Sequence, residues 1–298
     1  MLKITKNNLI SYKEIARKNG FWLFMILSLL GVFYLNLVWK TLGDLDSLTT
    51  SILFYSAIFG LIWQRKDRIR INSHVFSSFI GLALLVIIMI KTIYLFSFEH
   101  RLLSLVPFCA GLSLALIASG FRGLGQYSRE LFFAWFLFFP EGVLGNFIDS
   151  VIRVTVLNAK FATYFLYYLG FQVANVGNEV VLSLPNLGDY KAIVDYPCAG
   201  MPMILLMLKL SLLLVSFFPL KKFQCLAIPI VSISIGFFLG VARVCLLTLV
   251  IPKQATFDYW HGTEGSQIFS TLAIMIFSGF VYWIFNRNGL LESPKQSE

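Results

Sequence analysis

The chain has 298 residues, of which 58% are hydrophobic and only 13% charged, with a formal net charge of +9. A soluble domain carries about 25% charged residues, so this chain has too little charge to cover a water-facing surface. Disorder, a secreted disulfide scaffold and a collagen-like fibre are also excluded, which leaves a polytopic membrane protein.

Eight stretches are long and apolar enough to be read as spanning helices of about 20 residues: 21–39, 47–64, 75–96, 102–121, 131–148, 199–218, 225–251 and 266–285. The second is the weakest, because Ser and Thr dilute it. Residues 1–20 are basic and run straight into the first span, with no small-residue cleavage site, so they read as a cytoplasmic tail rather than a signal peptide. With that tail inside, the cytoplasmic pieces are 1–20, 65–74, 122–130, 219–224 and 286–298, and they hold 15 of the 24 Lys and Arg residues. These 15 are Lys3, Lys6, Lys13, Arg17, Lys18, Arg65, Lys66, Arg68, Arg70, Arg122, Arg129, Lys221, Lys222, Arg287 and Lys295. Six more fall outside and three (Lys91, Lys209, Arg243) within spans. The span count and the excess of positive charge inside therefore support each other. Both termini are expected in the cytoplasm. The organisation reads as a four-helix membrane region, 1–130, and a second membrane region, 131–298.

Residues 149–197 form an extracytoplasmic cap, too polar to span. About 150–169 is expected as a helix of mixed face near the interface. Phe171–Val176 and Glu179–Leu184 read as strands around a Gly177-Asn178 turn. Tyr190–Asp195 is a third extended stretch, leading into Pro197-Cys198-Ala199-Gly200. The fold class is thus all-α polytopic membrane protein with a small strand-containing cap.

Three residues stand out chemically. Cys198 sits at the outer mouth of the sixth span, where a helix N-terminus is expected to lower a thiol pKa. No other cysteine falls in an outer loop: Cys109 and Cys245 lie in spans and Cys225 at a cytoplasmic end. Arg243 lies inside the seventh span, roughly 12 Å below its outer end. An arginine there costs about 2.5–3.5 kcal/mol on insertion scales, so it needs a partner or a wet cavity. Gly236 and Gly240 precede it on nearly the same face and admit a close neighbour. His261 lies in an outer loop, Asp258–Gly265, whose glycines Gly262 and Gly265 permit an unusual backbone path, and its intrinsic pKa suits acid–base work near neutrality. Taken singly, each has a plain structural reading: a buried small residue, a snorkelling cation, an interfacial histidine beside Tyr259 and Trp260. Thiol, imidazole and guanidinium on one side of a membrane together suggest nucleophile, general acid/base and anion stabiliser. Glu264 and Asp195 are candidate supporting groups. Lys209 lies three turns below Cys198, and Glu141 and Asn146 are candidate cavity residues. An anion transporter or channel using Arg243 and Lys209, and a purely structural membrane subunit, are the competing readings. The chain shows no inverted repeat, which weighs against the transporter. No metal or organic cofactor is suggested. Nucleic acid is not an expected partner, because topology already accounts for the scattered basic residues.

On these residues the chain resembles the exosortase/archaeosortase family of membrane transpeptidases. The family pattern is a cysteine at the outer start of a span followed by a small residue and glycine, an arginine late in the next span, and a histidine in the loop before the last. Here these are Cys198-Ala199-Gly200, Arg243 and His261-Gly262. Ala199 replaces the commoner Ser, and Gly-Val-Ala precedes Arg243 where an Asn-containing form is frequent. The similarity covers about 140–285, and residues 259–270 look most like the cyanobacterial branch. The resemblance implies a cysteine peptidase or transpeptidase of the plasma membrane with its active site on the extracytoplasmic side. Cys198 would be the nucleophile, and Arg243 and His261 the other essential residues. Its partners would be exported proteins with a C-terminal tripartite sorting signal of the PEP-CTERM kind (a short motif, an apolar helix and a basic tail), together with membrane lipid and an acceptor the sequence does not identify. The strands at 171–195 offer an edge to which that motif can add.

Overall fold

The computed structural model describes residues 7–43, 45–94, 100–185 and 188–288. Lys3, Lys6, Lys295 and the last two residues of the expected 75–96 span lie outside them. The helices are α1 (Asn7–Leu42), α2 (Leu45–Gln64), α3 (Val75–Tyr94), α4 (His100–Gly123), α5 (Ser128–Phe138), α6 (Glu141–Ile152), α7 (Val154–Tyr168), α8 (Met201–Phe217), α9 (Lys222–Val250), α10 (Gln254–His261) and α11 (Thr263–Arg287). The strands are β1 (Val173–Val176), β2 (Glu179–Leu184) and β3 (Gly188–Ile193). Among the described residues, six helical stretches are long and apolar enough to cross a membrane: Trp22–Leu42, Ser47–Gln64, Val75–Thr92, Leu103–Phe138, Lys222–Val250 and Thr263–Arg287. Met201–Phe217 is a shorter apolar helix. This is a polytopic, mainly helical membrane protein.

The expected fifth span, 131–148, is not one helix. It divides into α5 and α6 around Phe139-Pro140, because proline has no backbone N–H and forces the residue before it out of helical geometry. Phe139 is extended, at φ −59°, ψ 137°.

The chain forms two compact units, Met1–Pro140 and Glu141–Glu298. In the first, α3 packs along α4, and a Cβ at Gly81 would come 2.8 Å from the Ser113 carbonyl oxygen, so the two backbones nearly touch. Tyr34, Leu37, Val38, Phe54, Leu61, Leu137 and Phe138 are buried, and Glu130, 4% exposed, accepts from the Arg65 guanidinium at 3.0 Å. One face of α3 bares Val75, Phe79, Leu82, Val86 and Ile90. A soluble protein rarely leaves such a stripe open, whereas lipid solvates it.

The second unit is built around α9, which touches α7, α8, α10, α11, β2 and β3. The sheet is antiparallel with β2 in the middle. Its first turn has Gly177 at φ 63° while Asn178 keeps a negative φ, the II′ pattern that suits a two-residue hairpin. The inner face of the sheet, Val180, Ala192 and Val194, packs on Ala159, Ala162 and Leu166 of α7 and on Val241, Val244 and Cys245 of α9. α7 therefore does more than lie along an interface: it buries a full face, with Ala159, Ala162 and Leu166 each at 0% exposure. Cys245 is a packed small residue, its Sγ 3.7 Å from the Ala162 carbonyl oxygen.

The start of α8 and the middle of α9 meet through glycine. Gly200 has φ 69°, and a Cβ on it would lie 2.7 Å from the Gly240 Cα. A Cβ on Gly236 would lie 2.8 Å from the Ile204 Cα. Both neighbours are backbone and cannot swing away. Gly200→Ala therefore combines a left-handed conformation, which costs a residue with Cβ about 1–2 kcal/mol, with backbone overlap. We expect it to destabilise the protein by about 2 kcal/mol or more in detergent thermal unfolding. Gly142→Ala, in open space within α6, should stabilise by about 0.5–1 kcal/mol. Equal midpoints for the two variants would contradict the close-approach account.

Candidate active site

The turn that carries Cys198 is fixed from both ends. The Asp195 carbonyl oxygen accepts from the Cys198 N–H at 3.0 Å and the Ala199 N–H at 2.9 Å. Gly200 then turns the chain left-handed, Pro202 falls in the first turn of α8, where its missing N–H costs nothing, and the Ile204 N–H closes the first helical bond on the Gly200 carbonyl oxygen at 2.9 Å. Tyr196 is pinned on the other side: its hydroxyl donates to the Glu141 carbonyl oxygen at 3.0 Å, and its ring covers Gly145, where any Cβ would collide with it.

Arg243 lies beneath this turn, 7% exposed. One terminal nitrogen donates to the Pro197 carbonyl oxygen at 3.0 Å and the other to the His261 carbonyl oxygen at 3.3 Å. The guanidinium thus ties the residue before the cysteine to the histidine itself. Its Nε is buried and finds no acceptor among the described residues. His261 is the last residue of α10, with its ring exposed and stacked on Phe257 at 5.2 Å between centroids and 14° between planes. The turn after it is tight: a Cβ at Gly265 would lie 2.5 Å from the Trp260 Cα. Neither Gly262 nor Gly265 has a positive φ, so Gly265 is required for close approach and not for the unusual backbone path anticipated from sequence.

Cys198 and His261 line one cleft of about 250 Å³. It is lined by Lys191–Asp195, by the apolar Val244 and Leu247 from the last two turns of α9 with Ile251 just after that helix, and by Phe257 and His261. Asp195 lines this cleft, whereas Glu264 is exposed in the first turn of α11 and does not. Lys209 is 2% exposed and paired with Glu141 at 2.7 Å. Lys209 and Arg243 therefore do not form a shared anion site on this cleft. Asn146 is exposed on α6.

The Cys198 thiol is 7% exposed, and burial pushes its pKa above the ordinary thiol value. The Arg243 charge acts in the opposite sense, Asp195 adds to the rise, and the hydrogen bond with the Asp195 backbone opposes it. This differs from the lowering expected of a helix N-terminus: Cys198 sits three residues before α8, and desolvation outweighs the favourable charge. The free protein holds Cys198 mainly as the thiol at neutral pH.

Asn158 was not legible as a site residue. Fully buried on α7, it donates to the Ala199 carbonyl oxygen at 2.6 Å, while its Oδ1 has no partner among the described residues. Only its place among Val154, Ala159 and Ala162, on the face that packs inward, set it apart in the sequence. Helix α10 was also missed, because eight residues of low hydrophobicity resemble a loop.

Because the thiolate is the reactive form, alkylation of Cys198 by iodoacetamide in membranes should be slower at neutral pH than for a free thiol, and should keep rising above the usual thiol pKa of about 8.5. Arg243→Gln removes the one charge favouring the thiolate and should slow it several-fold further. Labelling at pH 7 as fast as free cysteine would refute this balance of effects.

A family model described as transmembrane exosortase matches residues 39–278. No curated protein and no solved structure matches the chain.

Proposed function

The chain belongs to the transmembrane exosortase family, and we propose that it is a cysteine transpeptidase that cleaves a C-terminal sorting signal of the PEP-CTERM kind and passes the new carboxyl end to an acceptor through a thioester on Cys198. The observation that carries this reading is the double contact of Arg243. One guanidinium holds the carbonyl oxygens of Pro197 and His261, so that a thiol and an imidazole line the same cleft.

In the proposed reaction the Cys198 Sγ attacks the scissile carbonyl carbon, forming the C–S bond, while His261 takes the thiol proton. The C–N bond then breaks and His261 returns that proton to the departing amine. An amine, hydroxyl or water of the acceptor attacks the thioester, His261 removes its proton, and the C–S bond breaks to restore the thiol. A base is needed because burial disfavours a standing thiolate. Arg243 positions both partners, and its charge, in a site of low dielectric, favours the thiolate and the tetrahedral oxyanion, an effect worth a few kcal/mol. The substrate's apolar helix lies in lipid beside the spans, and its motif enters the cleft. On the eight spans read from the sequence, the distribution of Lys and Arg supports both termini in the cytoplasm and a cleft on the extracytoplasmic face of the membrane.

The test is a reporter carrying such a signal, followed by size and anchoring in cells. Cys198→Ala and His261→Ala are each expected to lower processing by about a hundredfold or more. Arg243→Lys keeps the charge but not the two-pronged geometry, and should fall at least about tenfold while still inserting in the membrane. A thioester adduct trapped on Cys198 would establish the nucleophile. Undiminished processing by Cys198→Ala would rule out thiol chemistry.

A further inference from the structure

The third strand has an open edge, and its residues share a cleft with the thiol. The Val194 N–H donates to the Asn178 carbonyl oxygen at 2.9 Å, and the same register pairs Ala192 with Val180 and Tyr190 with Leu182. In an antiparallel ladder, backbone groups alternate in direction. Tyr190, Ala192 and Val194 therefore turn theirs toward β2, and Lys191 and Ile193 turn theirs outward. No described backbone group pairs with that outward side. Proteins usually blunt such an edge with a bulge, a proline or a cover. Here Ile193 is 57% exposed on it, and Lys191 and Ile193 line the cleft that also holds Cys198 and His261.

We propose that the open edge of β3 binds the substrate polypeptide as an added strand, formed by the residues on the acyl side of the scissile bond and running parallel to β3 toward Cys198. This rests on the peptidase reading above. The direction follows from connectivity. β3 leads into the cysteine turn, so a chain whose upstream residues lie on the edge and whose scissile carbonyl reaches Cys198 runs the same way. The side of the bond follows from the chemistry. After the amine departs, only the acyl part remains on the enzyme, and main-chain pairing on that part keeps the thioester seated for the acceptor. Alternate substrate side chains then fall over the apolar Val244, Leu247 and Ile251, so that the backbone supplies affinity and every second residue supplies selectivity.

The test uses the wild-type full-length protein in cells and a reporter made of an exported domain followed by a short motif, an apolar helix and a basic tail. Proline is placed at each successive position upstream of the cleavage bond. Proline removes one N–H yet keeps an extended chain, so processing should fall at least about tenfold at alternate positions and stay within about threefold between them. On the enzyme, Lys191→Pro and Ile193→Pro delete outward N–H groups without touching the β2 ladder. They should lower processing about tenfold while iodoacetamide labels Cys198 within twofold of the wild-type rate. Lys191→Ala should process within about threefold of wild type. Loss of processing in Cys198→Ala combined with a proline scan that lacks a two-residue period overturns the strand and leaves the peptidase reading standing. Processing that survives Cys198→Ala overturns both. If the enzyme prolines slow labelling as well as processing, the reporter scan decides, because it leaves the enzyme unaltered.

Discussion

A single positive charge inside an apolar helix sets the terms for the second unit. Arg243 is carried into α9 at a cost of about 2.5–3.5 kcal/mol if left among apolar groups, and the fold meets that cost with two main-chain carbonyls from opposite sides, those of Pro197 and His261. Carbonyls can serve only if the segments bearing them come within hydrogen-bond distance of an arginine in the last third of a spanning helix. This requirement accounts for the glycines. Gly200 and Gly240 let the start of α8 press on α9, and Gly265 lets α11 fold back on α10, whose last residue, His261, offers its carbonyl oxygen to the guanidinium. At each glycine a methyl group would overlap backbone within a few residues of one of those carbonyls.

The same packing explains why the Cys198 thiol pKa is raised. The cap is fused to the membrane helices: α7 and the inner face of the sheet share one apolar core with α9, and Asn158 reaches from α7 to the Ala199 carbonyl oxygen. A turn held this firmly is buried, and burial raises the thiol pKa more than one nearby cation lowers it. In the proposed reaction a base in the cleft therefore has to take the thiol proton. His261 is the exposed member of the group, stacked on Phe257 and free of the core. The buried members of the group are thus the thiol and the guanidinium, and the exposed member is the imidazole.

The cap also determines which surfaces meet at the cleft. The short sheet has two faces and two edges, and of its three strands β3 lines the cleft. The tether from Ile193 to Cys198 is short, so the strand ends close to the thiol.

Much of this was written in one dimension. Low charge and long apolar runs specify a membrane protein, because lipid leaves no other solvent for such a chain. Strand β2 and the Gly177 turn follow from alternation and from glycine's access to positive φ. Cys198, Arg243 and His261 stand out because a thiol, a guanidinium and an imidazole are costly or reactive where the sequence puts them. Other features required three dimensions. Proline at 140 is visible in sequence, yet whether it kinks a span or ends one depends on what packs on either side, and here it separates α5 from α6. Lys209 and Glu141 are 68 residues apart, and nothing local pairs them. The direction of the Cys198 pKa shift was misjudged because a helix terminus is read from the sequence, whereas burial is a property of everything folded around it. The role of Arg243 was legible only as a charge in need of partners. That those partners are main-chain carbonyls, whose chemistry is the same at every residue, is a matter that tertiary structure alone decides.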